Sequence, residues 1–339
     1  MSSNPTVEPI VSNTFDRRLT PQQILWTVVG SICYFAWFYG VVGLKTEHIG
    51  MYFLVGLLFF TNSSSRQFLY AFAIFFVYTM VYDSLRVYPN HEFGTVHIRE
   101  LYEADKALFG VKYEGVRYTL NELGARFHQP FFDVLAALFY INWVPVPLAF
   151  GFYLFLYHKP MCLRFMYAFA LTKFVGMIIY YIYPAAPPWY VAQFGFDLIP
   201  TTTGNAAGLI YFDQITGIPI FENFYAKAPA PFAAMPSMHC AFPVVCFIYG
   251  RELKNRLLNI AFFIFIVGIW LSAVYTEHHY VLDVLVGGVV AVLSCWAFER
   301  IAVMPRVKPF FDNLLVRIGG RGYGQLTLQG DFYSTVNRR

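Results

Sequence analysis

Two histidine motifs hold the residues of this sequence that are best suited to chemistry. The first is Pro236-Ser237-Met238-His239, at the start of an apolar segment. A proline fits the first turn of a helix, and the free backbone N–H groups of that turn form an anion site. The motif therefore predicts a place where a phosphate group binds, held also by the Ser237 hydroxyl.

The second motif runs from Tyr275 through His278 and His279 to Asp283, out of a short loop and into the last apolar segment. On a helix, His279 and Asp283 share a face because they are four residues apart. A carboxylate on one imidazole nitrogen fixes the tautomer and leaves the other nitrogen free to attack. His278 fits this pairing less well. We expect His239, His279 and Asp283 to be the catalytic residues.

Each of these residues also has an ordinary interpretation. A single histidine at a membrane interface is usually an amphipathic side chain at the level of the lipid headgroups. An aspartate inside a membrane helix costs free energy, however, because its charge is removed from water. Such a residue more often has a function than none. Two motifs that have partners and are expected at the same membrane face favour a catalytic site.

The composition places these motifs in a membrane. Of the 339 residues, 58% are hydrophobic and only 13% are charged, whereas a soluble domain has about 25% charged residues. We expect an all-α polytopic bundle of about eight membrane segments. These are residues 24–44, 49–62, 67–83, 131–157, 163–184, 237–250, 258–276 and 279–299. The net charge of +4 lies mostly beside these segments, so we expect no nucleic-acid partner.

Cysteine and N-terminal patterns exclude other classes of site. The cysteines have no paired spacing, which predicts buried free thiols and neither a disulfide framework nor a zinc site. They are Cys33, Cys162, Cys240, Cys246 and Cys295. The first twenty residues include Arg17 and Arg18 but no apolar core with a cleavage site. We therefore expect no removable signal peptide and a first helix that stays as an anchor.

Basic residues predict the topology, because cytoplasmic loops are enriched in Lys and Arg. Loop 185–236 contains a single cation, Lys227, so this loop and the turn at 276–279 are expected on the extracytoplasmic face, with the active site. The predicted parts are an N-terminal cytoplasmic segment with accessory membrane helices (1–83), an interfacial amphipathic segment (84–130), a catalytic membrane core (131–300) and a basic cytoplasmic tail (301–339).

The histidine motifs resemble the type 2 phosphatidic acid phosphatase superfamily, whose second signature is Pro-Ser-x-His and whose third ends in His, three residues and Asp. Three cations of the superfamily signatures are absent, since Gly176, Tyr183 and Ala273 occupy their positions. A dianionic phosphate monoester would need those cations, which disfavours simple monoester hydrolysis.

Other segments resemble the inositol phosphorylceramide synthase branch of this superfamily, over roughly residues 95–300. They include Pro187-Pro188-Trp189-Tyr190 and Gly204-Asn205-Ala206-Ala207-Gly208-Leu209. The resemblance implies a helical bundle with six core membrane segments. It also implies transfer of phosphoinositol from phosphatidylinositol to the primary hydroxyl of ceramide, with release of diacylglycerol.

By position in the family, His279 would form a phosphohistidine intermediate and Asp283 would orient it. His239 would protonate the leaving oxygen and then deprotonate the ceramide hydroxyl. No metal or cofactor is expected. The expected partners are these two substrates and the surrounding membrane lipids, and the sequence does not indicate whether a regulatory membrane subunit binds.

Further side chains are candidates for contact with phosphate or substrate. Lys173 contacts phosphate or is a structural or snorkelling residue, and Asp133 binds an inositol hydroxyl or caps its helix. Trp189 and Tyr190 contact the headgroup or anchor the chain at the interface. The full set is Ser237, Tyr275, His278, Trp189, Tyr190, Asp133 and Lys173.

Two alternative functions stay open at this point. A lipid phosphate phosphatase would share the histidines but use water as the acceptor, and the absence of the superfamily's arginine at Ala273 argues against it. A lipid carrier or scramblase with vestigial histidines would bind lipid without turnover, and the complete His, His and Asp set argues against that function.

Overall fold

A computed structural model describes residues 21–228 and 230–319, which are predominantly helical. The expectations for Arg17 and Arg18 and for the end of the basic tail, residues 320–339, lie outside the described residues. The chain divides into two compact units, one containing residues up to Tyr70 and from Asp312 onwards, the other comprising Ala71–Phe311.

The first unit is built on helices with many exposed apolar side chains. The elements are α1 (Pro21–Trp37), a π-helical turn (Phe38–Val42), α2 (Thr46–Thr61) and the start of α3 (Ser63–Ser84). The rings of Phe38 and His48 lie 3.9 Å apart, and the hydroxyl of Tyr34 donates to the carbonyl of His48 at 2.8 Å. Exposed side chains such as Ile24 and Trp26 on α1 are what a lipid-facing helix presents.

The second unit contains the two histidine motifs. In chain order its helices after α3 are α4 (Arg99–Phe109), α5 (Leu120–Arg126), α6 (Pro130–Ile141), α7 (Pro145–Tyr157), α8 (Lys159–Ile182), α9 (Pro188–Phe194), α10 (Ile210–Thr216), α11 (Ile220–Tyr225), α12 (Met238–Gly250), α13 (Arg256–Tyr275), α14 (Val281–Ala302) and the start of α15 (Lys308–Gly319). Helix α12 packs between α8, α13 and α14, so the His239 motif begins at the centre of the bundle.

Four helices of the described residues are long and apolar enough to cross a membrane: α1 with its π-helical turn, α8, α13 and α14. Helices α6 and α7, bent by 42° at the break between them, make a fifth candidate if they form one span. The expected segment 131–157 is therefore not one straight helix. Pro145 has no N–H to bond back to the preceding turn, so α6 ends before it. The count of eight spans stays a prediction.

The interfacial segment has more structure than the expected amphipathic helices. Helix α4 buries Leu101, Tyr102 and Asp105 on one face. Between α4 and α5 lies a hairpin of β1 (Val111–Tyr113) and β2 (Val116–Tyr118), paired antiparallel. Its turn residues Glu114 and Gly115 have φ of 49° and 80°, as a tight hairpin turn requires. The described residues of the long loop 185–236 include α9, α10 and α11.

Candidate active site

The first motif forms the start of helix α12. Ser237 is the N-cap, and its hydroxyl accepts the backbone N–H of Cys240 at 3.3 Å. The motif predicts Pro236 in the first turn of the helix. In the structure Pro236 instead precedes the N-cap. The Ser237 side chain is fully buried and its oxygen satisfies one of the free N–H groups of the helix. His239, two residues further on, lines a cavity.

The second motif turns before helix α14. His279 precedes the helix, and its backbone N–H donates to the carbonyl of Ala273 at 3.0 Å. Asp283, in the first turn of α14, bends back so that its Oδ2 accepts the N–H of Tyr280 at 2.9 Å. The same Oδ2 lies 3.5 Å from His279 Nδ1, slightly longer than a well-formed hydrogen bond. The two residues meet through the helix cap and not through a shared helix face.

A close approach of α12 and α14 brings the two motifs together. A Cβ on Gly287 would lie 2.3 Å from the carbonyl oxygen of Ser237, so only glycine lets the helices pack at this distance. The N–H of Ser237 also donates to the carbonyl of Asp283 at 3.0 Å. As a result, Nε2 of His279 lies 3.3 Å from Nδ1 of His239.

Aromatic rings surround the imidazoles. Tyr140 stacks on His239, with 4.6 Å between ring centres, and on His278, with 5.2 Å. Trp143 lies 4.4 Å from the His239 ring, and Tyr225 stacks on His278 at 4.5 Å. Burial lowers the pKa of His278 well below its usual value, so its imidazole is neutral. These rings restrict the orientation of the histidines and exclude water from their faces.

The histidines line a cavity of about 540 Å³, a volume typical of small-molecule sites. Of the residues expected to contact substrate, Lys173, Trp189 and His278 line it together with His239 and His279. Asp283 lies behind His279 and is fully buried. The arrangement places one nitrogen of His279 beside His239 and the other beside a carboxylate.

A buried lysine on α8 lines the cavity. Lys173 is 3% exposed, and its ammonium lies 4.7 Å from the centre of the Tyr82 ring and 5.5 Å from that of Phe242. In the described part of the chain its contacts are with rings and not with a carboxylate, which is a favourable cation–π arrangement. Lys173 is thus available to an anion in the cavity.

At Gly176, where the superfamily signature has a lysine, the side chain of Met238 fills the neighbouring space. A Cβ on Gly176 would lie 2.5 Å from the sulfur of Met238, so a lysine at this position requires that Met238 move. Lys173 is one turn earlier on the same face of α8. The cavity therefore receives a cation from α8, but from a different position.

Four expected contact residues do not line the cavity. Ser237 caps α12, as described above. The hydroxyl of Tyr275 donates to Asp133 Oδ1 at 2.7 Å, and that of Tyr190 donates to the carbonyl of Asp197 at 2.7 Å. These side chains hold the segments around the cavity, and their contact with substrate stays a prediction.

Other lining residues were not anticipated: Tyr140, Trp143, Tyr225, Arg86 and Lys227. Tyr140 and Trp143 are three residues apart, a spacing that predicts a shared face, but segment 131–157 was interpreted as one uniform span. Lys227 is the single cation of its loop, and in the sequence it indicates only on which side of the membrane the loop lies. Arg86 donates to Asp83 Oδ1 at 2.9 Å, a local pairing that offsets its charge.

The family is decided by comparison with known sequences. A family model described as the PAP2 superfamily matches residues 115–297, which is more than half of the chain. The chain belongs to the PAP2 superfamily. The matched region contains both histidine motifs, and membership together with the apolar helices makes this an integral membrane protein.

Among curated relatives, this PAP2 chain is 40% identical over 276 residues to the phosphoinositol dihydroceramide synthase of Bacteroides thetaiotaomicron, covering 80% of the chain and 90% of that protein. It is 24% identical over 255 residues to the inositol phosphorylceramide synthase catalytic subunit aur1 of Schizosaccharomyces pombe, covering 72% of the chain and 56% of the relative. The corresponding values for the inositol phosphorylceramide synthase of Candida albicans are 26% over 253 residues, with coverage of 72% and 50%.

The chain thus spans about half the length of the two fungal relatives. No solved structure matches it significantly. These similarities make the protein an inositol phosphorylceramide synthase-like phosphotransferase of the PAP2 superfamily.

Proposed function

We propose that the protein transfers phosphoinositol from phosphatidylinositol to the primary hydroxyl of a ceramide and releases diacylglycerol. The supporting observation is the orientation of His279, whose Nε2 lies beside His239 at 3.3 Å while Nδ1 lies beside Asp283 at 3.5 Å. One nitrogen is therefore directed to the reacting group and the other to an orienting carboxylate. The name of the bacterial relative supports this substrate pair and suggests dihydroceramide as an acceptor.

In the first half-reaction, Nε2 of His279 attacks the phosphorus of phosphatidylinositol. The bond from phosphorus to the diacylglycerol oxygen breaks, and His239 gives its proton to that oxygen. Asp283 stabilises the positive charge that develops on the imidazole of His279. The products are diacylglycerol and an enzyme carrying phosphoinositol on His279.

In the second half-reaction, the ceramide hydroxyl attacks the same phosphorus. His239, which lost its proton in the first half, now accepts the hydroxyl proton. The phosphorus–nitrogen bond breaks, and inositol phosphorylceramide leaves while His279 returns to its starting state. One histidine can serve both half-reactions because it donates a proton in the first and accepts a proton in the second.

The charge of the cavity suits a phosphodiester. A diester has one negative charge and a monoester nearly two at neutral pH, so the diester needs fewer cations. Lys173 supplies one, whereas Gly176, Tyr183 and Ala273 stand at the superfamily's other cationic positions. Arg86 at the cavity wall is already paired with Asp83. We therefore propose that phosphatidic acid is a poor substrate.

We also propose that this chemistry takes place on the extracytoplasmic face. The His239 motif begins α12, and the basic residues Arg251 and Lys254 follow the other end of the same helix. The turn with His279 follows α13, whose first residue is Arg256. Both motifs thus lie at the helix ends opposite the basic ends, which favour the cytoplasm.

An assay of the purified protein tests the proposal directly. Phosphatidylinositol with ceramide or dihydroceramide should yield diacylglycerol and the phosphoinositol sphingolipid in equal amounts, while phosphatidic acid should react slowly. Release of diacylglycerol at the same rate without any ceramide would instead assign a hydrolase. Faster cleavage of phosphatidic acid than of every diester would assign a lipid phosphate phosphatase.

A further inference from the structure

The interfacial segment reaches the turn that holds His279 through two buried polar side chains. Asp105 on α4 is 0% exposed and Asn121 on α5 is 2% exposed. Neither residue lines the cavity of the histidines, so neither can touch the reacting groups directly. Both bond to the backbone on either side of His279.

Asn121 joins the two ends of this turn. Its Nδ2 donates to the carbonyl of Val274, in the last turn of α13, and to the carbonyl of His279, each at 2.8 Å. The Val274 carbonyl also accepts the backbone N–H of Glu277 at 3.2 Å. A buried carbonyl gains from a hydrogen-bond donor, so the Asn121 amide stabilises both ends of this turn. Asn121 thus holds the chain where α13 ends and His279 begins.

The position of Asn121 is itself fixed by a capping box. Thr119 caps α5 and accepts the N–H of Glu122 at 3.2 Å, while Glu122 accepts the N–H of Thr119 at 2.8 Å. This reciprocal pair determines where α5 starts. Asn121 is then held in the first turn, facing the His279 turn and not the membrane surface.

Asp105 acts at the beginning of α14. Its Oδ1 accepts the N–H of Leu282 at 3.0 Å, one residue before Asp283. A carboxylate at a helix N-terminus is electrostatically favourable. Burial nevertheless raises the pKa of Asp105 to about 6, with Asp283 adding to the effect. Tyr280, on the His279 turn, is a further ionisable side chain that interacts electrostatically with Asp105.

Raising this pKa has a definite consequence for stability. An acid whose pKa is higher in the folded protein than in the unfolded chain makes folding less favourable as pH rises through that interval. Ionisation of Asp105 therefore makes folding less favourable as pH rises towards about 6, although the carboxylate contacts the helix that carries Asp283.

We propose that Asp105 and Asn121 are positioning residues that hold His279 and Asp283 in the geometry required for phosphoryl transfer. This proposal rests on the proposed role of His279 as the nucleophile. The interfacial segment is then part of the catalytic framework, since a displacement of His279 by about 1 Å can lower the rate about 100-fold.

The test uses the full-length protein and compares kcat, KM for each lipid and thermal unfolding across a set of variants. Asp105→Ala and Asn121→Asp should each lower kcat by about tenfold or more and leave both KM values near those of wild type. Asp105→Asn keeps an oxygen that accepts the Leu282 N–H, so it should recover most of the lost kcat. Because it cannot ionise, it should also unfold at a higher temperature than wild type at pH 7.5.

Two controls separate positioning from stability. Glu103→Gln removes an exposed carboxylate from the same helix as Asp105, and kcat should not change. Asn255→Ala removes the cap that accepts the N–H of Leu258 at the opposite end of α13, which should lower stability by about 1 kcal/mol at helix-cap values without lowering kcat.

Wild-type kcat in both Asp105→Ala and Asn121→Asp would overturn the proposal, as would equal losses of kcat in Asn255→Ala. The variants are assayed with whichever donor and acceptor the wild-type protein uses. If that pair is not phosphatidylinositol and ceramide, the proposed substrates are wrong while the positioning effect is still measured.

Discussion

Nε2 of His279 lies 3.3 Å from Nδ1 of His239, although the residues are 40 positions apart in the chain. His239 lies in the first turn of α12 and His279 in the turn before α14, and both line the same cavity. Two imidazoles at this distance can act on one phosphorus and its oxygens, one as nucleophile and one as proton carrier.

Replacing the catalytic residues should cause unequal losses. His279→Ala should abolish detectable turnover, His239→Ala should leave little, and Asp283→Asn should retain a small residual rate because the imidazole remains. Initial rates of sphingolipid formation measure all three. Near wild-type turnover in His279→Ala would remove this residue as the nucleophile.

A covalent intermediate should accumulate when no acceptor is present. Donor labelled in the phosphate, mixed with the enzyme without ceramide, should leave label on the protein that is lost in acid and stable in base. His279→Ala should carry no such label. An unlabelled wild-type protein under conditions of fast turnover would favour direct in-line transfer between the two lipids.

Removing the cation of the cavity should slow the reaction. Lys173→Met keeps an unbranched side chain of similar length but loses the charge, and turnover should fall by at least about tenfold because phosphate charge is no longer balanced. Lys254→Met, at an exposed position, is the matched control. An unchanged rate in Lys173→Met would leave this lysine the structural role of packing against its aromatic neighbours.

His128 should make stability depend on pH. Its Nδ1 lies 2.7 Å from Asp133 and its Nε2 lies 4.0 Å from Glu277. Burial opposes its charged form, but the nearby carboxylates of Glu277 and Asp133 outweigh burial and raise the pKa above the usual 6.5. A raised histidine pKa adds stability that is complete below that usual value and is lost as pH rises through the folded-state pKa.

The corresponding measurement is thermal unfolding of wild type and His128→Gln between roughly pH 6 and pH 9. The wild-type protein should unfold at a higher temperature than the variant near the acidic end, and the difference should shrink as pH rises. A difference that is constant with pH would show that the charge of His128 does not contribute.

The topology is tested with single cysteines. Thr203→Cys and Gln214→Cys, both at exposed positions of the long loop, should react with a membrane-impermeant reagent in intact cells. The background is Cys33→Ser, because Cys33 is the exposed cysteine among the described residues. Arg251→Cys should react only after permeabilisation, and the reverse pattern would place the active site on the cytoplasmic face.

Part of this protein follows from its sequence. The low charge and long apolar segments predict a helical membrane protein, because crossing a bilayer requires apolar helices of a certain length. The spacing of His279 and Asp283 predicts that the two residues pair, and they do lie 3.5 Å apart. Spacing alone did not predict the cause, since Asp283 bends back onto a cap at Tyr280 instead of lying on a shared helix face.

The remaining features depend on contacts between residues that are distant in the chain. Met238 fills the space beside Gly176, while Lys173, one turn earlier, lines the cavity. No local pattern in the sequence predicts that packing. Asn121 reaches His279 across 158 positions, and its amide resembles any other surface asparagine in the sequence. Residue types and their short-range spacing thus predicted the chemical groups of the site, and the long apolar segments predicted the membrane location. Helix packing decided which side chains line the cavity and which hold its turn in place, because close packing allows only certain residues to approach.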